Sequence, residues 1–210
     1  MGVDTVANAA KERPGEAAGA SRQVVLGVGV LGALAAAPLV GRLVRLGSAF
    51  ASPSKAQDAR VLQLVLQLEY TQVAFYEQAL RKGSLKGEVR VFAQTALGHE
   101  RAHLAAIKRA LGGKAGPAPS FDFGSAVRDS DEFKQTAIKL EDIAIAGYNG
   151  QATNLTSSTL AAAATIVSVE ARHASWIRTL ADEVAAPDAV DKPMTARQVV
   201  DGLHQIGLKA

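Results

Sequence analysis

Two stretches of this sequence return about seventy residues later with the same charged residues in the same places. Leu68-Glu69-Tyr70-Thr71-Gln72-Val73-Ala74-Phe75-Tyr76 recurs at an offset of 72 as Leu140-Glu141-Asp142-Ile143-Ala144-Ile145-Ala146-Gly147-Tyr148, sharing L-E-x-x-x-[VI]-A-x-Y. Glu100-x-x-His103, running on to Ile107-Lys108, recurs at an offset of 70 as Glu170-x-x-His173, running on to Ile177-Arg178. A repeated helical unit of this kind reads as two similar hairpins that face each other across a pseudo-twofold axis. Positions three apart share one face of a helix, so each Glu-x-x-His can offer a carboxylate and an imidazole to one ion. Glu69 to Glu100 is 31 residues and Glu141 to Glu170 is 29, so each hairpin brings its two glutamates to matching heights. Glu69, Glu100, His103, Glu141, Glu170 and His173 are therefore expected at one level of one bundle.

The apolar periodicity predicts an all-α chain with four proline-free helices over 55–82, 88–111, 131–152 and 157–186. Strand signals are missing. The break at 83–87 is short enough for an antiparallel hairpin. Residues 112–130 form a longer break containing Gly112, Gly113, Gly116, Pro117 and Pro119. These 19 residues can reach about 60 Å, whereas a 24-residue helix is about 36 Å long, so the connection can run the length of a bundle. Gly150 invites a helix end, but matched ligand heights put the second hairpin's midpoint near residue 155. The third helix is accordingly expected to pass through Gly150 and turn between Thr153 and Ser158. Beyond Pro187, Thr195 to Leu208 is amphipathic, with Val199, Val200, Leu203 and Ile206 on its apolar side. The expected division is a leader at 1–51, a bundle at 55–186 and a tail at 187–210 whose short helix packs on the bundle or on a partner chain.

Composition narrows the chemistry. There is no cysteine, which removes disulfides, thiolate zinc sites and iron–sulfur clusters, so a metal must be held by carboxylate and imidazole. The 23 basic and 20 acidic residues are not gathered into runs, which leaves nucleic-acid binding without support. Four carboxylates in an apolar core need compensation, and their four negative charges balance two divalent cations. Mixed oxygen and imidazole donors suit iron or manganese better than calcium or structural zinc. Without metal, desolvation and repulsion should raise some of the glutamate pKa values. Tyr76 and Tyr148 each follow a glutamate by seven residues and are placed to donate a hydrogen bond to a ligand carboxylate. His99 and His204 read as surface histidines, Trp176 as core filler, and the run Ala161–Ala164 as close helix packing.

The first fifty residues are polar to Arg22, apolar from Val24 to Val40, then basic at Arg42 and Arg45. This is the pattern of a targeting or anchoring segment. Seventeen apolar residues interrupted by Pro38 favour an export signal over a permanent membrane anchor, and Ala49-Phe50-Ala51 offers a cleavage site. Arg42 and Arg45 pull the other way, since positive charge beyond the apolar run resists export. Ser21-Arg22-Gln23-Val24-Val25-Leu26 resembles a twin-arginine signal with Gln23 in place of the second arginine. Export to the periplasm or cell envelope, or membrane attachment through 24–40, is the expectation. Gly27-Val28-Gly29-Val30-Leu31-Gly32 spells a dinucleotide-binding fingerprint but lacks the flanking strand, helix and acidic residue that such a site needs.

With these motifs in view, the chain resembles the bacterial ferritin-like superfamily, especially small exported or membrane-associated proteins related to desiccation-associated ones. The resemblance covers about 55–186 and is strongest at Val169-Glu170-Ala171-Arg172-His173-Ala174. It implies a ferritin-like four-helix bundle of two hairpins joined by a long crossover. By the same resemblance Glu100 and Glu170 bridge two metal ions and form the catalytic pair, Glu69 and Glu141 are terminal ligands, and His103 and His173 bind one metal each. Tyr76 and Tyr148 would support them. The implied cofactor is two iron ions, or two manganese ions as in manganese catalases, with O2 or hydrogen peroxide as reaction partner. The ligand set is closer to bacterioferritin and rubrerythrin than to animal ferritin. Yet there is no paired-cysteine module, and Met194, the only methionine besides Met1, lies outside the bundle where a haem ligand would be needed. Three readings stay open: an iron-oxidising or peroxide-scavenging enzyme, a dimanganese catalase-like enzyme, and a structural stress protein without turnover. The apolar circumference of the first helix, around Val61 to Leu68, makes a homodimer a further expectation.

Overall fold

Three of the five helices among the described residues start where a side chain satisfies free backbone N–H groups of the first turn. In the computed structural model, which describes residues 53–209, helix α1 spans Lys55–Lys82 and is capped by Ser54, which accepts from Gln57 N at 3.2 Å. Helix α2 is Gly87–Leu111, and α3 is Ser130–Gln151, capped by Asp129 on the N–H groups of Asp131 and Glu132. Helix α4 is Ser157–Leu180, and α5 is Ala196–Ile206, opened by a capping box between Thr195 and Gln198. The signal or anchor expected within residues 1–51 lies outside the described residues. Among the described residues no helix is long and apolar enough to cross a membrane.

The connection between α2 and α3 runs the length of the bundle. It starts beside the early part of α1, where the Gln63 side chain donates to Lys114 O and Tyr70 Oη donates to Gly116 O at 2.9 Å. It ends beside the α1–α2 turn, where Ser84 Oγ donates to Arg128 O at 3.1 Å. The second hairpin therefore begins at the opposite end from where the first one stopped, which makes α1 antiparallel to α3 and gives the expected crossover bundle. At the far end Asp58 ties the α3–α4 turn to α1. Its carboxylate accepts from Thr156 N at 2.8 Å, Thr156 Oγ1 at 2.6 Å and Thr159 Oγ1 at 2.8 Å.

Two details differ from the sequence expectation. Helix α4 stops at Leu180 rather than 186, because Asp182 adopts φ 58° and the chain closes in a Schellman turn before Pro187 is reached. Glu183 N donates to Arg178 O at 2.9 Å and Asp182 N to Thr179 O at 3.3 Å. The crossover also contains a strand that no run of β-formers announced. Strand β1, Ser120–Phe121, pairs antiparallel with β2, Leu208–Lys209, just beyond α5.

Helix α3 passes through Gly150 to Gln151, and the chain turns over residues 152–156. The glycine has a tertiary reason. The segment leading into α5 lies across α3, with Met194 N donating to Ala146 O at 2.9 Å, and a Cβ at position 150 would stand 1.9 Å from Met194 O. Helix α5 then seats Val199 and Leu203, both fully buried, in the bundle core, and Gly202 lets Ile143 approach. Gly150→Ala should cost about 1–3 kcal/mol of stability by overpacking. It should also loosen the 187–195 segment, read as faster proteolytic nicking there. Gly98→Ala, in α2 with open space around the added carbon, should be neutral or stabilising by up to about 1 kcal/mol, both variants being compared with wild type by urea titration.

Candidate metal centre

All six sequence-predicted donors converge midway along the bundle. Glu69 of α1, Glu100 of α2, Glu141 of α3 and Glu170 of α4 are fully buried, and His173 is 3% exposed. His103 keeps 11% of its side chain exposed. Both imidazoles aim Nδ1 inward. That of His103 lies 2.9 Å from Glu170 Oε1, 3.1 Å from Glu100 Oε2 and 3.7 Å from Glu69 Oε2. That of His173 lies 3.0 Å from Glu100 Oε1, 3.5 Å from Glu141 Oε2 and 3.8 Å from Glu170 Oε2. Two overlapping donor sets result, Glu69–Glu100–His103–Glu170 and Glu100–Glu141–Glu170–His173, each with one atom per residue within 4.8 Å of the others. Glu100 and Glu170 belong to both.

The two tyrosines do reach ligand carboxylates, but across the bundle. Tyr148 Oη on α3 donates to Glu69 Oε1 on α1 at 2.6 Å, and Tyr76 Oη on α1 donates to Glu141 Oε1 on α3. Seven residues advance a helix by about 10.5 Å, too far for either phenol to reach the glutamate of its own helix. Antiparallel packing places it beside the other one.

Two polar neighbours were missed in the sequence. His99, expected at the surface without a partner, sets Nδ1 2.9 Å from His173 Nε2, with the two rings stacked at 5.1 Å. The signal was available: His99 and His103 are i and i+4, on one helix face. Gln72, fully buried, donates from Nε2 to Glu170 Oε2 at 2.9 Å and to Glu141 Oε2 at 3.2 Å. It lies three residues after Glu69, again on the shared face. In the internal repeat the counterpart of Gln72 is Ala144 and that of His99 is Val169, so neither contact is duplicated: His99 meets His173, and Gln72 reaches Glu141 of the same half and the shared Glu170. His204 is exposed and meets the Leu208 carbonyl at 2.9 Å, away from the centre. Trp176 is half-buried, edge-on to Phe92 with ring centroids 5.4 Å apart. With both ligand histidines, His99 and Arg172, it lines a surface cavity of about 370 Å³ between α2 and α4, which connects the donors to the outside.

Electrostatics divides the cluster into groups that keep protons and groups that carry charge. Burial pushes Glu69 well above the usual carboxyl range, helped by the charges of Glu100 and Glu170, and burial does the same at Glu141 despite the nearby His173. At Glu170 burial works in that direction too, but His103 and His173 beside it hold it below the usual range. Burial alone would lower both histidines; the surrounding carboxylates, Glu100 foremost, instead lift His103 to about 9 and His173 to about 12. Burial and the neighbouring His173 lower His99. Tyr76 and Tyr148 are pushed well above the ordinary phenol value by burial and by the glutamate each one bonds.

The donors fit a metal better than they fit one another. Glu69 Oε2, Glu100 Oε1, Glu170 Oε1 and His173 Nδ1 are buried without a hydrogen-bond partner. His173 Nδ1 and Glu100 Oε1 are close enough to bond but are not aligned to do so. Buried polar atoms are ordinarily satisfied, so donors aimed at common points instead of at each other mark a place for cations. The arrangement is compatible with two ions.

Comparison with known families agrees with the geometry. No curated protein matches the chain. A family model described as a ferritin-like domain matches residues 57–183, which takes in all four bundle helices, all six donors and more than half of the sequence. The chain belongs to the ferritin-like domain family.

Proposed function

We propose that this protein holds a pair of iron ions and lets O2 or hydrogen peroxide oxidise them, acting as a ferroxidase or peroxide scavenger. The observation that carries the reading is the overlap of the two donor sets at Glu100 and Glu170. On this reading Glu100 and Glu170 would help hold both ions and be the catalytic pair, Glu69 with His103 would complete one position, and Glu141 with His173 would complete the other. Iron there would supply the redox chemistry, reducing O2 or peroxide as it is oxidised. The remaining work is the protein's own. Tyr148 and Tyr76 fix the outer glutamates, and Gln72 orients Glu141 and Glu170. Four fully buried carboxylates keep bulk water from the centre, while the cavity at the histidine face leaves a path for a small oxidant. Manganese fits the same oxygen and imidazole donors and is the second reading, decided by the metal content of protein purified from cells supplied with both.

In an anaerobic titration the wild-type protein should take up two Fe(II) per chain. Glu100→Ala or Glu170→Ala should lose both ions, since each residue serves both positions, while His103→Ala should weaken mainly one. Uptake of no more than stray metal, or bridging and histidine variants that behave alike, would sink the proposal.

The two positions should also differ. His99 supports the His173 half alone and Gln72 adds Glu141 of that half to the shared Glu170, and outer partners of metal ligands are typically worth 10–100-fold in affinity. Binding should therefore proceed in two resolvable steps. Replacing each residue by its repeat counterpart, His99→Val with Gln72→Ala, should weaken the tighter step about 10-fold or more and merge the two. A single-step wild-type titration contradicts this.

Metal uptake should rise with pH. With His103 at about 9 and His173 at about 12, both are protonated at neutral pH in the metal-free protein, and Glu69 and Glu141 tend to hold protons as well. A metal must displace these protons. Apparent affinity should therefore increase about tenfold per pH unit for each proton released while the pH stays below the relevant pKa, and fall correspondingly on acidification. An indicator in weak buffer should register proton release on Fe(II) addition at pH 7. An affinity that is flat between pH 6 and 8 would refute the linkage.

A further inference from the structure

The alanine run Ala161–Ala164, expected to mark close helix packing, does the opposite. Ala161, Ala162 and Ala164 are exposed and Ala163 is half-buried. Ala162 and Ala163 of α4 face Ala106 and Ala110 of α2 across a cavity of about 430 Å³, a size typical of small-molecule sites. The small side chains leave between α2 and α4 a space that larger ones would fill. Val61 and Val65 of α1, Ile107 and Leu111 of α2 and Ile166 of α4 form these walls. The cavity is elongated: its lining on α1 runs from Lys55 to Val65, about 15 Å of helix.

Its two ends are chemically different. At the inner end lies Tyr148, whose hydroxyl bonds Glu69. At the outer end are Lys55 and Lys114, both exposed. The acidic residue there, Asp58, accepts from Thr156 and Thr159 and pairs with Lys55 at 4.0 Å, so one carboxylate faces two lysines and the rim keeps a net positive charge. The repeat-related side of the bundle has no equivalent space, because Tyr76 is packed among Phe75, Phe92 and Phe133 with ring centroids 5.4, 5.8 and 6.1 Å away.

We propose that this cavity binds a single-chain aliphatic carboxylate, its chain lying along α1 toward Tyr148 and its head between Lys55 and Lys114. A narrow apolar slot is filled by a flexible chain and not by a flat protein surface, and the cationic rim selects the head group. The assignment rests on the cavity alone and is independent of metal occupancy.

Dodecanoate, used below its micelle concentration, is the probe, with the full-length metal-free protein and calorimetry. One molecule should bind per chain, and dodecyltrimethylammonium, of the same chain length and opposite charge, should bind at least tenfold more weakly. Ala163→Trp, which fills the slot, and Lys55→Glu with Lys114→Glu, which reverses the rim, should each weaken dodecanoate at least tenfold while far-ultraviolet circular dichroism stays native. Should Ala163→Trp fail to fold, a spin-labelled dodecanoate on the wild-type protein should selectively broaden the Ala162 and Ala163 methyl resonances. The proposal is overturned if dodecanoate shows no saturable binding, as it would if a second copy of the chain covered the slot. It is equally overturned by binding that ignores the slot and rim substitutions, or by equal affinity for the cationic amphiphile.

Discussion

Everything in this bundle answers to the burial of four glutamates at one level of its core. A carboxylate taken out of water loses several kcal/mol even after relaxation, and a domain of this size has only about 5–15 kcal/mol of net stability to lose. The protein meets this cost with its own groups first. His103 and His173 bring positive charge, Glu69 and Glu141 tend to keep their protons, and Tyr76, Tyr148 and Gln72 donate hydrogen bonds from fixed positions. What is left over is the set of unpartnered atoms pointing inward. Those atoms leave in the folded core a place that cations would fill.

The pseudo-twofold repeat solves the construction of such a centre cheaply, because one hairpin pattern used twice supplies all six donors. Its departures from symmetry are then informative. His99 and Gln72 have no counterparts in the other half, and the aromatic packing around Tyr76 is replaced around Tyr148 by open, apolar space. One half of the centre is braced and enclosed; the other borders the slot. A duplicated scaffold has been differentiated by side chains, with the backbone frame of two antiparallel hairpins retained.

The convergence of the six side chains, the crossover and the passage of α3 through Gly150 were legible in the sequence because each is written in spacing, and spacing survives without knowledge of contacts. The end of α4 was not, because the stop comes from Asp182 adopting a left-handed conformation five residues before the proline that looked like the terminator. The repeat places each tyrosine within reach of a glutamate, but which glutamate it bonds depends on the packing of α1 against α3. His99 was passed over although it stands four residues from His103, since its partner is a ring from another helix. The alanines misled for a related reason: small side chains permit close approach and equally permit a gap, and only the neighbouring helices decide between them.

The two-residue ladder between β1 and β2 ties the last residues of the chain to the middle of its crossover. The crossover edge at Ser120–Phe121 gains its partner only when Leu208 and Lys209 arrive, after every bundle helix has been synthesised. During translation the bundle helices can associate while this seam is still unclosed. The crossover and the α5 tail thus complete their shared seam last, over a core whose four bundle helices are already made.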